Sequence, residues 1–267
     1  MADPKVIVIT GASSGIGAAL AQHLGAGPPD GERARLALSA RREPELRETA
    51  RAAGGETIAI PGDMTRREDV ERLRDEAIRT FGHVDVWINN VGRGISRSVF
   101  ELTDADVDEM IAVNVKSALY GMQAIVPHFK ERGRGHLINV SSFLSRVPVV
   151  TFRAAYSASK AALNALTANA RMELAGTHPG IDVSLVMPGI VTTDFHRHAR
   201  HGTPSFGSGA PPPGAQNADE VAAAIVALIA RPVAEIYTNP QQAAVVVRYY
   251  GGVAAFEREL AAQAGGR

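Results

Sequence analysis

Residues 5–24 read KVIVITGASSGIGAALAQHL, and the order of their three parts decides the fold. KVIVIT is a continuous β-branched run, the composition of a strand buried on both faces, as parallel strands are. The loop GASSGIG (11–17) follows at once, and AALAQHL then carries a helical pattern. Strand, glycine-rich turn and helix form the context in which such a loop takes a dinucleotide. Glycines let the backbone approach a diphosphate, and the helix N-terminus offers free N–H groups and positive potential. The spacing is Gly-x-x-x-Gly-x-Gly rather than the commoner Gly-x-Gly-x-x-Gly, so taken alone it also fits a plain glycine turn.

The pattern repeats outward from this unit. Strand-like runs occupy 34–40, 56–60, 84–89, 136–140, 181–187 and 234–238, separated by helical patterns at 43–54, 67–81, 103–129, 155–175 and 219–230, with a helical tail. Such alternation means a parallel sheet with helices on both faces. With 45% hydrophobic residues, the 267-residue chain suits one domain with a substantial core. Lys+Arg and Asp+Glu both number 28, so no global field favours nucleic acid or an anionic membrane. Cysteine is absent, which removes disulfides, thiolate catalysis and cysteine metal sites. MADPKVIVIT has no basic leader and no apolar run reaches about 18 residues, so a cytoplasmic protein is expected.

Polar side chains stand where the strands end. Arg41 and Arg42 follow the second strand, where a dinucleotide fold puts the adenosine ribose. An acid there would bond the 2′-hydroxyl, whereas an arginine suits a 2′-phosphate. Ala40 followed by Arg41 therefore points to NADP(H) over NAD(H), the alternative being two solvated arginines opening a helix. Asp63 ends the third strand as a candidate acceptor for an adenine amino group. Asn90, in NNVG (89–92), ends the fourth, although a turn alone also explains that pattern. Asn114 lies inside helix 103–129, where a buried amide must find partners, and satisfied structural polarity fits it as well as chemistry does. Ser142 closes the fifth strand. Tyr156 and Lys160, in YSASK (156–160), are four residues apart in a helix-prone run and project from one face. A neighbouring ammonium favours the phenolate and draws the tyrosine pKa from about 10 towards neutrality. Tyr-x-x-x-Lys is weak alone and gains from its company.

Residues 190–217 are dense in Gly, Pro, Ser and basic side chains and read as a flexible substrate lid. His196, His198 and His201 within it are read as loop residues and no metal is assigned, because no supporting carboxylates are evident. Phe143, Val149, Val150, Phe152 and Phe195 suggest a partly apolar pocket. Arg146, Arg153 and the basic lid either admit an anionic group or are solvated surface.

TGASSGIG, Asp63, NNVG, Asn114, Ser142, YSASK and PGIVTT, in this order and at these spacings, resemble the short-chain dehydrogenase/reductase family over roughly residues 5–240. The resemblance implies a seven-stranded doubly wound (Rossmann) parallel sheet in a single domain, residues 1–267. It implies Tyr156 as catalytic acid/base, Lys160 on the nicotinamide ribose and lowering the tyrosine pKa, Ser142 on the substrate oxygen, and Asn114 in a water-linked proton path. Gly11, Ser13, Ser14, Gly15, Ile16 and Gly17 map to the diphosphate and ribose loop, Asp63 to adenine, and Asn90 to the adenosine side. Pro188, Gly189, Ile190 and Thr193 map to the nicotinamide. The family's NADP-preferring members carry an arginine where Arg41 stands. The implied reaction is reversible hydride transfer between NADP(H) and a small-molecule carbonyl or alcohol. A dehydratase or epimerase on the same scaffold, and a dinucleotide-binding redox sensor without turnover, are the alternatives. A homodimer or homotetramer through helices 103–129 and 155–175 is implied as well. Three departures stand out: Val91 where alanine is usual, a longer loop before the second strand, and one extra residue between Ser142 and Tyr156.

Overall fold

β1 (Val6–Thr10) is buried at every position, and its alternation divides it between two cores. Ile7 and Ile9 face one apolar cluster while Val6 and Val8 face the other. A strand covered on both sides needs apolar residues in both phases of its two-residue repeat, which is why VIVI precedes the first polar side chain. The computed structural model describes residues 4–27, 33–193, 195, 199–202 and 214–265.

Seven parallel strands pair in the order β3-β2-β1-β4-β5-β6-β7. The others are β2 (Arg35–Ser39), β3 (Thr57–Ala59), β4 (Val86–Asn89), β5 (Gly135–Val140), β6 (Ile181–Met187) and β7 (Glu235–Tyr237). Val6 lies opposite Arg35 and Ile7 opposite Val86, so β1 sits where the strand order reverses. In open α/β sheets the crevice beyond the strand C-termini at that reversal is the usual ligand site. One face carries α1 (Gly15–Ala26), α2 (Glu43–Ala53) and α7 (Ala218–Ala230); the other carries α3 (Arg67–Phe81), α5 (Ser117–Arg132) and α6 (Ala154–Ala175). This is the doubly wound α/β fold. Among the described residues no helix is long and apolar enough to cross a membrane.

The expected helix 103–129 is not continuous. A capping box starts α4 (Asp104–Ile111): Thr103 Oγ1 accepts from Asp106 N–H and Asp106 accepts from Thr103 N–H. The coil then widens into a π-helical stretch, Ala112–Lys116, before α5 begins. Asn114 occupies that stretch, and such one-turn bulges arise where a local demand on the backbone outweighs α-helical bonding. Beyond β7 the tail folds as α8 (Gln241–Gly251) and α9 (Val253–Gly265), with Tyr249 and Phe256 packing near Val147.

A polar ladder ties the sheet to its helices. Trp87 Nε1 donates to Asn89 Oδ1 at 2.8 Å, Asn89 Nδ2 donates to Asn139 Oδ1 at 2.8 Å, and Asn139 Nδ2 reaches Thr167 Oγ1 at 2.9 Å. Gly121 lies against it: a Cβ there would collide with Asn89 Oδ1 and come within 2.7 Å of Trp87 Nε1. Gly121→Ala is therefore expected to destabilise the protein by about 1–3 kcal/mol, the usual cost of overpacking a filled core. Urea unfolding should show a lower midpoint at unchanged slope.

Candidate active site

At the C-terminal end of β1 the chain turns through Gly11, with φ 69°, into α1. Gly15, with φ 55°, takes a second left-handed position that favours glycine. Asn90 holds this loop from across the strand reversal. Its Nδ2 donates to the carbonyls of Thr10 and Gly11, both at 3.2 Å, and its backbone N–H reaches Thr10 Oγ1 at 3.0 Å. A Cβ on Gly17 would strike the Gly11 carbonyl and lie 2.7 Å from Asn90 Nδ2, so the close approach of loop and helix requires glycine there. Ser14 sits at the helix N-cap without using its side chain as a cap. Its hydroxyl, with that of Ser13, instead meets Arg42 Nη2 at 2.8 and 3.2 Å. Arg41 is exposed on the same rim. Asp63 also lines the cavity, with Oδ1 accepting from Thr65 N–H and hydroxyl at 3.0 and 2.8 Å.

A cavity of about 790 Å³ runs from this rim past the loop to the ends of β5 and β6. Ser142, Tyr156 and Lys160 line it together with Pro188, Gly189, Ile190 and Thr193. Thr193 closes back on the glycine loop, its Cγ2 standing 3.4 Å from where a Gly15 Cβ would be. Tyr156 is 9% exposed and Lys160 2%. Burial pushes the tyrosine pKa above its ordinary value, against hydrogen bonding from Ser142 and the nearby charge of Arg153. Burial likewise lowers Lys160 to about 8. The Lys160 ammonium donates to the Val140 carbonyl at 2.8 Å, and at the phenol desolvation outweighs the Ser142 hydrogen bond and the Arg153 charge.

Asn114 is fully buried next to this group. Its Oδ1 accepts from Arg93 N–H at 2.8 Å, and its Nδ2 donates to the Arg93 carbonyl and to Ser159 Oγ, both at 3.0 Å. A Cβ on Gly92 would lie 3.4 Å from both Asn114 Oδ1 and Lys160 Nζ, so the amide and the ammonium converge on one backbone position.

Comparison with known proteins agrees with this geometry. Residues 5–204 match the family model described as short chain dehydrogenase. The chain belongs to the short-chain dehydrogenase/reductase family of oxidoreductases. An uncharacterised oxidoreductase of Staphylococcus aureus (strain N315) is 37% identical over 190 residues, covering 71% of this chain and 79% of that protein. A short-chain dehydrogenase/reductase from Burkholderia phymatum, solved with NAD, superposes with a TM-score of 0.82 at 27% identity over 95% of each chain. An alcohol dehydrogenase from Thermococcus sibiricus, solved with 5-hydroxy-NADP, does so with a TM-score of 0.74 at 30% identity over 88% of this chain and 96% of that one.

A wall built around Ile95 stands beside Tyr156. Residues 94–97 are held between two partners: Arg200 N–H donates to the Gly94 carbonyl at 2.9 Å, Ser96 N–H to the Arg200 carbonyl at 3.0 Å, and Arg97 N–H to the Phe152 carbonyl at 2.8 Å. Asp106, fully buried, gathers the side chains, with Arg97 at 2.9 Å, Arg200 at 2.6 Å and His201 at 2.9 Å, while Glu109 takes Arg93 and Arg200. His201 thus serves an ion-pair network. His196, His198 and most of the expected lid 190–217 lie outside the described residues. Among the described residues no group of three or more His, Cys, Asp or Glu is placed to hold a metal.

Of the expected pocket residues, Phe143, Val149, Val150 and Phe195 line the cavity, and Phe195 meets the Tyr156 ring edge-on at 5.7 Å. Phe152 does not line it and lies 5.6 Å from the Arg153 guanidinium. Arg146 is not solvated surface, because both oxygens of Glu235 bind it, at 2.9 and 2.7 Å. Gln242 of α8 was not foreseen. It lines the cavity against Gly189, and its Oε1 is buried without a hydrogen-bond partner.

The Asp106 network predicts a pH dependence. The hydrogen bond from His201 leads the causes that hold the Asp106 carboxyl below its ordinary 3.8. A depressed folded-state pKa gives stability that is complete above 3.8 and fades as pH falls towards the folded value. Thermal melts of wild type and Asp106→Asn should differ most near neutrality and converge as pH is lowered below about 4.

Proposed function

We propose that the protein is an NADP(H)-dependent oxidoreductase catalysing reversible hydride transfer between the nicotinamide and a carbonyl or alcohol, with Tyr156 as acid/base. The observation that carries this reading is that Ser142, Tyr156 and Lys160 line the same cavity as the glycine loop. The residues suit a dinucleotide: glycines at 11, 15 and 17 leave backbone bare beside a helix N-terminus, and Arg41 and Arg42 bring positive charge to the rim at the end of β2. A bound nicotinamide supplies the hydride.

The chain's own groups supply the rest. Gly11, Ser13, Ser14, Gly15, Ile16 and Gly17 would hold the diphosphate side, with Asn90 fixing the loop and Asp63 facing adenine. Pro188, Gly189, Ile190 and Thr193 would flank the nicotinamide. The Ser142 hydroxyl steadies the substrate oxygen and Tyr156 passes it a proton. A phenol raised by burial is a reluctant phenolate, so the ammonium of Lys160 is needed to make proton exchange reversible near neutral pH. Asn114, clamped to Arg93, keeps the Gly92 backbone against Lys160. We also assign self-association to α4, α5 and α6, where Val107 and Met172 are 42% and 67% exposed.

With NADPH and a panel of carbonyl compounds, Tyr156→Phe should lose at least about a hundredfold in turnover while still binding cofactor. Near-normal turnover by that variant would overturn the assignment. Tight NADPH binding by wild type without oxidation by any carbonyl would favour the sensor.

Arg41→Ala and Arg42→Ala should each weaken NADPH about tenfold or more relative to NADH, the worth of a charge-assisted bond to a 2′-phosphate. Equal losses for both cofactors would reduce these arginines to surface cations.

A further inference from the structure

Asn164 stands one turn beyond Lys160 and two beyond Tyr156 on α6, so the three side chains share a face of the helix. Tyr156 and Lys160 line the cavity, whereas Asn164, 6% exposed, does not. A buried amide must find partners. Those of Asn164 are a serine immediately before Ser142 and another three residues after it. Ser141 Oγ donates to Asn164 Oδ1 at 2.6 Å, and Asn164 Nδ2 donates to Ser145 Oγ at 2.7 Å.

The hydroxyl of Ser145 fixes the direction of this chain. Its single proton goes to the Ser142 carbonyl, which can only accept, so towards Asn164 the Ser145 oxygen must itself accept. The amide therefore turns its NH2 to Ser145 and its oxygen to Ser141. Three hydrogen bonds then run in one sense, from Ser141 through Asn164 and Ser145 to the backbone of Ser142. Members of such a chain polarise one another and strengthen it.

The Ser142 side chain is oriented by the same loop. Leu144 N–H donates to Ser142 Oγ at 3.2 Å, which occupies a lone pair and leaves the hydroxyl proton for the phenol of Tyr156 or a substrate oxygen. Backbone bonds from Ser141 N–H to the Val186 carbonyl, at 2.7 Å, and from Phe143 N–H to the Pro188 carbonyl, at 2.8 Å, tie the loop to β6 and the turn beyond it. Those bonds set its place along the sheet. Asn164, with the Lys160 bond to the Val140 carbonyl one turn earlier, joins it to the helix that carries Tyr156.

We infer that Asn164 is a positioning residue for the reaction, holding the Ser142 hydroxyl where it and Tyr156 can act on one substrate oxygen. This rests on the oxidoreductase reading above. A misplacement of about 1 Å can cost about a hundredfold in rate, so the effect should fall on turnover.

The test is a double-mutant cycle on kcat, with NADPH and the carbonyl compound that wild type reduces fastest. Asn164→Ala and the near-isosteric Asn164→Leu should each lower kcat at least about tenfold while NADPH affinity, read from fluorescence of the reduced cofactor, is unchanged. In a Ser142→Ala background the same changes should cost less than about twofold more, because the amide acts through that hydroxyl. An equal loss with and without the Ser142 hydroxyl marks a general structural role and overturns the inference. So does wild-type kcat in both variants. If neither folds, Ser145→Ala, which breaks the chain at its last link, takes their place in the cycle. If wild type reduces no carbonyl compound, the oxidoreductase reading fails. There, or where Ser142→Ala leaves no turnover to measure, crystal structures of wild type and Asn164→Leu, or Ser145→Ala in its place, decide the inference by themselves. A Ser142 Oγ displaced by about 1 Å or more relative to Tyr156 Oη supports the positioning role, and an unmoved hydroxyl overturns it.

Discussion

Asn90 donates to two successive carbonyls, of Thr10 and Gly11, across the point where the sheet changes direction. This clasp fixes the glycine loop relative to β4, and through β4 and β5 relative to Ser142. The geometry depends on what is missing at position 17, since any side chain there would drive the loop off Asn90. The glycine loop and Ser142 are therefore parts of one edge, the carboxyl ends of adjacent parallel strands.

That edge buries charge. Tyr156, Lys160 and Arg153 all lie below 10% exposure, and burial shifts each of them towards its neutral form. Such an arrangement is unfavourable for the fold by itself and is kept where it has chemical use. A lysine brought down to about 8 and bonded to the Val140 carbonyl is held in place by the backbone. Its effect on the tyrosine is a matter of local electrostatics in a cavity that dinucleotide and substrate would share. Tyr-x-x-x-Lys spacing alone does not lower a phenol's pKa, since the desolvation accompanying it acts in the opposite sense.

Much of this was legible in the residue string, because parallel strands buried on both faces read as uninterrupted apolar runs and their ends are marked by Gly, Asn, Ser or Pro. All seven strands lie where those runs stand, and Gly11, Ser13, Ser14, Gly15, Ile16, Ser142, Tyr156, Lys160, Pro188, Gly189, Ile190 and Thr193 meet in one cavity, while Gly17 lies behind the loop against Asn90. Other features depend on contacts between distant segments. The break at Ala112–Lys116 leaves no mark in hydrophobic period, since Asn114 reads as one polar residue in a helix until its partners Arg93 and Ser159 are known. Arg146 and Arg153 look alike in sequence, yet the first is bound by Glu235, 89 residues away, and the second lines the cavity. Gln242 enters from a helical tail with no motif at all.

The wall beside Tyr156 joins these features mechanically. The strip 94–97 bonds to Arg200 on one side and to Phe152 on the other, and Arg153 follows Phe152 directly into α6. Asp106 fastens the same strip by holding Arg97 while it holds Arg200 and His201. A loosened Asp106 network would therefore be felt through the backbone at Gly94 and Ile95, the two positions that make room for the Arg153 guanidinium and accept its bond. Phe195 rests on the Tyr156 ring and would lie within 3.0 Å of a Gly94 Cβ, so the phenol, the guanidinium and the anchored end of the 190–217 segment share one surface. Arg153 and Tyr156 are therefore not separable parts of the pocket wall, because the strip 94–97 and Phe195 pack against both.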